Sequence, residues 1–123
     1  MKEPGFATRC AHAGEDPADH LGAPVPPLYQ NSLFLSPDVE TFLHRGSRRP
    51  DVYDYTRVAN PTVDLLERKL ADLEGTEAAR CLASGMAAVS AAIMHAVAAN
   101  DHVIAVETAY GPTRQFLEKY LPR

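Results

Sequence analysis

Cysteine is scarce in this sequence, and the residue patterns of common metal sites are missing. Cys10 and Cys81 are the only two cysteines among 123 residues, and no CxxC pair occurs. This spacing argues against a zinc or disulfide framework and favours a reducing compartment. The histidines show no HxH or HxxxH spacing, so we expect no metal site. The five histidines are His12, His20, His44, His95 and His102.

Long apolar runs and an excess of positive charge are also missing. The most apolar segment, residues 86–99, is interrupted by Ser90 and His95 and is shorter than the ~20 residues of a membrane span. No apolar stretch of the signal-peptide type follows Met1. The formal net charge of −4 argues against the clustered basic face of a nucleic-acid-binding protein. We therefore expect a cytoplasmic protein that binds neither membrane nor nucleic acid.

The glycine-rich fingerprints of nucleotide sites are absent as well. The sequence contains neither G-x-x-x-x-G-K-[ST] nor G-x-G-x-x-G, so it offers no motif for a mononucleotide or dinucleotide. Its composition is otherwise ordinary for a globular protein, with 46% hydrophobic and 23% charged residues. The length suffices for one small domain.

The chain changes character near residue 60. Seven of its ten prolines lie at or before position 50, and the early region has no sustained helical or strand period. We expect residues 1–60 to form an extended arm that lies on the rest of a larger protein or on a partner subunit. A short helix is predicted within the arm, with Ser36 as its N-cap and Gly46 at its end.

Residues 61–123 alternate between helix and strand signals. Asn60 and Pro61 predict the start of a helix, which Gly75 ends. Residues 78–84 and 101–107 predict two buried strands, each followed by a further helix. This alternation predicts a parallel β-α-β unit with a right-handed crossover. We expect the alanine-rich helix between the strands to be buried on more than one face.

The carboxyl ends of these two strands are the places where an α/β sheet binds ligands. The first strand leads into Ser84-Gly85-Met86 at a helix start, where unpaired N–H groups and the helix dipole favour an anion such as phosphate. Tyr110 follows the second strand and could offer an aromatic face to a flat heterocycle. Taken alone, a Ser-Gly pair is more often a tight connection, and a single tyrosine is more often a packed aromatic residue.

The segment DVYDYTRVANPT, residues 51–62, places Tyr55 and Arg57 two residues apart, just ahead of the predicted helix. In an extended chain this step puts both side chains on one face. Taken alone, the pair fits a strand face with a surface charge. Guanidinium and phenol groups are also strong donors to phosphate oxygens.

Four motifs in order resemble those of one enzyme family. They are YTRVANPT, LERKLADLEG, ASGMAAVSAAI and DHVIAVETAYGPT, and the early HAGEDPADHLGAPVPPLYQNSLF also looks like that family's N-terminal segment. The family is the Cys/Met metabolism group of pyridoxal-phosphate enzymes, which includes cystathionine γ-synthase, cystathionine β- and γ-lyases and methionine γ-lyase. The resemblance covers the chain from about residue 8 to the end.

The resemblance implies an α/β fold and a role in sulfur amino-acid metabolism. Residues 1–60 would be an inter-subunit arm, and residues 61–123 would begin the pyridoxal-phosphate-binding large domain of a type I transferase, which would be incomplete. The implied reaction is elimination or replacement at the β or γ carbon of a sulfur-containing amino acid. A homo-oligomer, either dimer or tetramer, is expected, and lyase and γ-synthase stay equally open.

The resemblance also implies roles for individual residues. Tyr55 and Arg57 would reach across a subunit interface and bind the cofactor phosphate of the neighbouring chain. Ser84, Gly85 and Met86 would hold the phosphate in their own chain, the last two through their backbone amides. Tyr110 would stack on the pyridine ring, with a further role in proton transfer.

The sequence departs from the family's pattern in its lysines. The family's catalytic lysine, which carries the cofactor as a Schiff base, lies well downstream in a much longer chain. Lys2, Lys69 and Lys119 do not match its motif, and Lys69 is predicted to be solvated. The chain alone is therefore expected to be inactive. The alternative is a complete, noncatalytic module that binds the cofactor or docks on an intact homologue.

Overall fold

The computed structural model describes residues 4–44 and 52–122, which divide into two compact units, Met1–Arg80 and Cys81–Arg123. The boundary between arm and domain after residue 60 stays a prediction. Helices account for the regular structure of the first unit, which contains α1 (Phe6–His12), a 3₁₀ turn (Pro17–His20), α2 (Val39–Leu43) and α3 (Pro61–Glu74). The second unit contains α4 (Gly85–Ala96), α5 (Gly111–Gln115) and a π-helical turn (Phe116–Tyr120).

Helix α3 begins and ends at the predicted residues. The side chain of Asn60 accepts a hydrogen bond from the Thr62 N–H at 2.9 Å, and Pro61 occupies the first helical position, where its missing N–H costs nothing. Gly75 ends the helix with a φ of +66°, a left-handed conformation that glycine adopts without steric cost.

Polar contacts hold α1 against α3. Arg9 Nε donates to Asp72 Oδ2 at 3.0 Å, and Lys69 Nζ pairs with the Glu15 carboxylate and donates to the Ala11 carbonyl at 3.1 Å. The prediction of a solvated Lys69 is therefore wrong, because its ammonium group lies between partners from the arm. Among the described residues Ala71 is the only buried hydrophobic one, so this unit has little apolar core of its own.

Helix α2 begins two residues later than predicted. Asp38 is its N-cap, and Asp38 Oδ1 accepts from the Thr41 N–H at 2.7 Å. Ser36 as N-cap is wrong, since the Asp38 carboxylate is the group that reaches the free N–H groups of the first turn. The same hydrogen bond lowers the pKa of Asp38. The predicted end at Gly46 lies outside the described residues.

The two predicted strands do not pair in this structure. Residues 78–84 and 101–107 form no strand, and the β pairing found within the described ranges is one antiparallel bridge, between Leu33 and Tyr55. A parallel strand is stable when neighbours flank it and helices cover both faces. Ile104 instead remains 88% exposed. The parallel sheet is therefore wrong as a feature of this chain by itself.

Helix α4 forms where predicted, but its predicted burial is wrong. None of its residues is buried, and Met94 on its surface is 57% exposed. A helix composed so largely of apolar residues normally packs against neighbours on several sides.

In the part of the chain that the structure describes, no helix has the length and apolar character needed to cross a bilayer.

Candidate functional site

Tyr55 and Arg57 lie side by side, although the chain between them is not extended. Tyr55 pairs with Leu33, and the backbone then turns so that the N–H groups of Val58 and Ala59 both donate to the Tyr55 carbonyl, at 2.8 and 3.1 Å. The expectation that an extended step places both side chains on one face is therefore wrong. The turn brings the Arg57 guanidinium carbon to 4.7 Å from the centre of the Tyr55 ring, a cation–π contact.

These two residues line an open pocket of about 280 Å³. The pocket is completed by Thr56 and by residues of the arm, namely Gln30, Asn31 and Ser32. A guanidinium, a phenol, hydroxyls and amides offer many hydrogen-bond donors, and none of the described residues that line the pocket carries a carboxylate. Such a donor set suits an oxyanion. The sequence did not predict Gln30, Asn31 and Ser32 as site residues, although they lie in the N-terminal segment that resembles the family's.

Asn60, which is only 3% exposed, joins an earlier part of the arm, at Tyr29, to the turn at Tyr55–Arg57. Besides capping α3, its side-chain amide donates to the Tyr29 carbonyl and to Thr56 Oγ1, both at 3.0 Å. Thr62 Oγ1 in turn accepts from the Tyr29 N–H at 3.0 Å. Sequence reasoning assigned Asn60 only the cap, because the two further bonds depend on tertiary contacts.

An aromatic group supports the chain ahead of the turn. The rings of Tyr53 and Phe34 are 5.3 Å apart, and those of Phe34 and Tyr29 are 6.3 Å apart. Burial, together with a hydrogen bond to the Asp64 carboxylate and its charge, raises the pKa of Tyr53 to about 12. Tyr53 therefore stays a neutral donor at physiological pH.

In the second unit, two backbone N–H groups at the start of α4 have no acceptor within the helix. Ser84 is the N-cap: its hydroxyl accepts from the Ala87 N–H at 3.1 Å, and its carbonyl accepts from the Ala88 N–H at 3.1 Å. The N–H groups of Gly85 and Met86 then have no acceptor within the helix. A Cβ built on Gly85 would meet no atom within 4 Å, so no other side chain crowds the first residue of the helix.

The starts of α4 and α5 are in contact. Thr113 Oγ1, in the first turn of α5, lies 3.7 Å from Met86 Sδ. Tyr110 is the N-cap residue of α5 and is 68% exposed, so it is accessible to a ligand. The amides of α4 and Tyr110 thus belong to neighbouring helix starts. The prediction placed both turns at one edge of a parallel sheet, and the described residues form no such sheet.

The site residues therefore fall into two groups. The first unit brings Tyr55 and Arg57 together at one pocket, and the second brings the helix start at Ser84 beside that of α5. Within residues 4–44 and 52–122, no three His, Cys, Asp or Glu side chains gather as metal ligands would.

Comparison with known proteins identifies the family. Residues 7–123 match the family model of the Cys/Met metabolism PLP-dependent enzymes. The chain belongs to this family. The resemblance drawn from the four motifs is confirmed, and pyridoxal 5'-phosphate is the family's cofactor.

Individual relatives match along almost the whole chain. The L-methionine gamma-lyase of Pseudomonas putida is 45% identical over 116 residues, which cover 94% of this chain and 29% of that protein. The crystal structure of metB from Corynebacterium glutamicum matches with a TM-score of 0.78 and 32% identity, over 95% of this chain and 29% of that one.

A second solved structure shows the family cofactor attached to lysine. It is a Campylobacter jejuni protein assigned as an O-acetylhomoserine (thiol)-lyase (metY), which holds N'-pyridoxyl-lysine-5'-monophosphate. It matches with a TM-score of 0.81 and 26% identity, over 95% of this chain and 29% of that one. The chain thus spans about 29% of the length of each of these relatives.

Proposed function

We propose that this chain supplies the phosphate-binding and ring-contacting part of a pyridoxal-phosphate enzyme of sulfur amino-acid metabolism. The observation that carries the proposal is the start of α4, where Ser84 caps the helix and the Gly85 and Met86 amides have no acceptor within the helix. A helix N-terminus with free amides favours a phosphate. Tyr110, at the adjoining helix start, supplies the aromatic face for a pyridine ring.

Each residue then has a chemical task. The Gly85 and Met86 amides donate to the phosphate, while Ser84 keeps the helix start in place. Tyr110 covers one face of the ring, excludes water from it and can hold a proton at its phenol oxygen. When bound, pyridoxal phosphate supplies an electron sink for a carbanion of the substrate. We place the lysine that carries the cofactor outside this segment, since Lys2, Lys69 and Lys119 do not match the family's lysine motif and Lys69 is engaged by Glu15 and Ala11.

We assign Tyr55 and Arg57 to the phosphate of a neighbouring subunit, so the working enzyme is a homo-oligomer. Their pocket is open, and its lining, as far as the structure describes it, offers donors and no carboxylate. Among the described residues Arg57 forms no ion pair, and its contact with the Tyr55 ring leaves its N–H groups free to donate. The substrate class is a sulfur-containing amino acid, and the reaction is an elimination or replacement at its β or γ carbon.

The test uses a chimeric enzyme, in which this chain replaces the segment that it matches in the Pseudomonas putida L-methionine gamma-lyase. Arg57→Ala should weaken binding of pyridoxal 5'-phosphate by about ten- to a hundredfold, because a charge-assisted phosphate contact contributes about 1.5–3 kcal/mol. Affinity for pyridoxal, which lacks the phosphate, should change little. Both dissociation constants are measured by titrating the cofactor-free chimera.

Arg9→Ala is the matched control. It removes the same charge from the same unit, but Arg9 pairs with Asp72 and does not line the pocket. The Arg9→Ala chimera should bind pyridoxal 5'-phosphate as tightly as the unsubstituted chimera. If Arg57→Ala also binds the cofactor with unchanged affinity, Arg57 is not a phosphate ligand and the cross-subunit assignment fails.

A further inference from the structure

Asn60 makes more hydrogen bonds than a helix cap requires. An N-cap needs only a side-chain oxygen, which serine or aspartate provides equally well. Asn60 uses its oxygen in this way toward the Thr62 N–H, yet it also employs both protons of its amide group, and it is almost completely buried. Serine and aspartate lack these two amide donors, so the acceptors that Asn60 reaches indicate its task.

The first target belongs to the arm. Asn60 Nδ2 donates to the Tyr29 carbonyl at 3.0 Å, and the Tyr29 N–H donates to Thr62 Oγ1 at 3.0 Å. Tyr29 thus has both of its backbone polar groups bound at the start of α3. The next three residues, Gln30 to Ser32, are the arm's contribution to the pocket. Asn60 therefore sets where this side of the pocket lies.

The second target is Thr56, the residue between Tyr55 and Arg57. Thr56 Oγ1 accepts from Asn60 Nδ2 at 3.0 Å and donates to the Asn31 carbonyl, while the Thr56 N–H donates to the Ser32 carbonyl at 3.0 Å. These bonds fix both the backbone and the side chain of Thr56. Because its two neighbours project from this fixed backbone, their positions depend on the bond from Asn60.

We propose that Asn60 is a positioning residue for phosphate recognition: it fixes the Tyr55–Arg57 turn against residues 29–32 of the arm and so holds both side chains at the pocket. Asn60 itself does not line the pocket, so it is not a phosphate ligand. The inference rests on the proposed function, because it takes Tyr55 and Arg57 as the ligands that Asn60 holds in place.

The experiment compares two ligands in the chimeric enzyme. Asn60→Ser keeps an oxygen for the helix cap and removes both amide donors. Its affinity for pyridoxal 5'-phosphate should fall about tenfold, the loss expected when a buried hydrogen-bond network is broken. Its affinity for pyridoxal should stay within about twofold, because only the phosphate contacts are displaced. Asp38→Ala, which removes the cap of α2 in the same unit, should leave both affinities unchanged.

A second experiment asks whether Asn60 acts through Arg57. In an Arg57→Ala background, Asn60→Ser should cost much less cofactor affinity than it does in the parent chimera, because residues that act through one another are not additive. Equal losses in both backgrounds would overturn the proposal. So would a fall in affinity for pyridoxal equal to that for the phosphorylated cofactor, or a failure of Asn60→Ser to assemble, since each shows a general structural role.

The outcome for the proposed function is separate. If Arg57→Ala alone leaves affinity for pyridoxal 5'-phosphate unchanged, the assignment of Arg57 fails whatever Asn60 does. If Arg57→Ala weakens binding but Asn60→Ser does not, the phosphate ligands stand and only the positioning role is refuted.

Discussion

Tyr53 anchors the chain two residues ahead of Tyr55. Its ring packs against Phe34 of the arm, and the hydrogen bond to Asp64 ties it to the first turn of α3. Its phenol is held neutral by burial first and by the neighbouring carboxylate second, which together raise its pKa. The folded and unfolded chains therefore differ in proton affinity at this one group.

That difference predicts a loss of stability at alkaline pH. The pKa of Tyr53 is about 12 in the folded chain, above the ordinary 10.0 of a tyrosine, so the unfolded chain releases the proton first as pH rises. The stabilisation is complete below pH ~10 and is lost as pH climbs toward ~12. Tyr53→Phe should remove this part of the pH dependence. The free energy of unfolding of the chimeric enzyme is measured with denaturant between pH ~10 and ~12, with and without Tyr53→Phe. If it falls equally steeply with pH in both proteins, the assignment is contradicted.

At this scale the sequence predicted that Tyr55 and Arg57 lie together but not the backbone geometry that brings them together. The motif identified Tyr55 and Arg57 as a pair, and the structure places them in contact. The extended conformation assumed for them is wrong, because the turn depends on pairing with residues 32–34, far away in sequence. The donors of Asn60 could not be assigned for the same reason: their acceptors come from the arm.

At the scale of elements, α3 and α4 owe their starts to capping side chains that are local in sequence. Asn60 and Ser84 each bond an N–H group two or three residues ahead, so the pattern alone locates both helix starts. Residues 78–84 and 101–107 carry equally clear strand signals but need partners for their ladder bonds. In the described part of the chain those partners are absent, and the segments stay unpaired.

The start of α4 offers a test that separates a helix cap from an anion site. Ser84→Asp retains a capping oxygen but adds a negative charge next to the Gly85 and Met86 amides. It should weaken binding of pyridoxal 5'-phosphate on the order of tenfold or more, because a carboxylate then competes for the site and repels the phosphate.

Ser84→Asn is the matched control, since asparagine caps as well as aspartate and carries no charge. It should keep cofactor affinity within about threefold. Both variants are compared by cofactor titration of the chimeric enzyme. Equal affinities for the aspartate and asparagine variants would mean that no phosphate binds at this helix start.

At the scale of the whole molecule, much apolar surface is exposed to solvent. In the second unit, an open cavity of about 920 Å³ lies between the end of α4 and the π-helical turn. It is lined largely by apolar side chains, including those of Met94, Val103, Val106, Leu117 and Leu121. Exposed surface of this kind marks an interaction site or an unsatisfied core. It agrees with a chain that matches 29% of its relatives' length.

The central claim is that this segment contributes phosphate and ring contacts but no lysine for the cofactor. The most direct measurement adds pyridoxal 5'-phosphate to the purified 123-residue chain, reduces the mixture with borohydride and maps labelled lysines by mass spectrometry. We expect weak, reversible binding, with only scattered partial labelling of Lys2, Lys69 and Lys119, and no elimination from cystathionine, cysteine or methionine. Stoichiometric labelling of one lysine together with turnover would contradict the account, because the segment would then contain a complete active site.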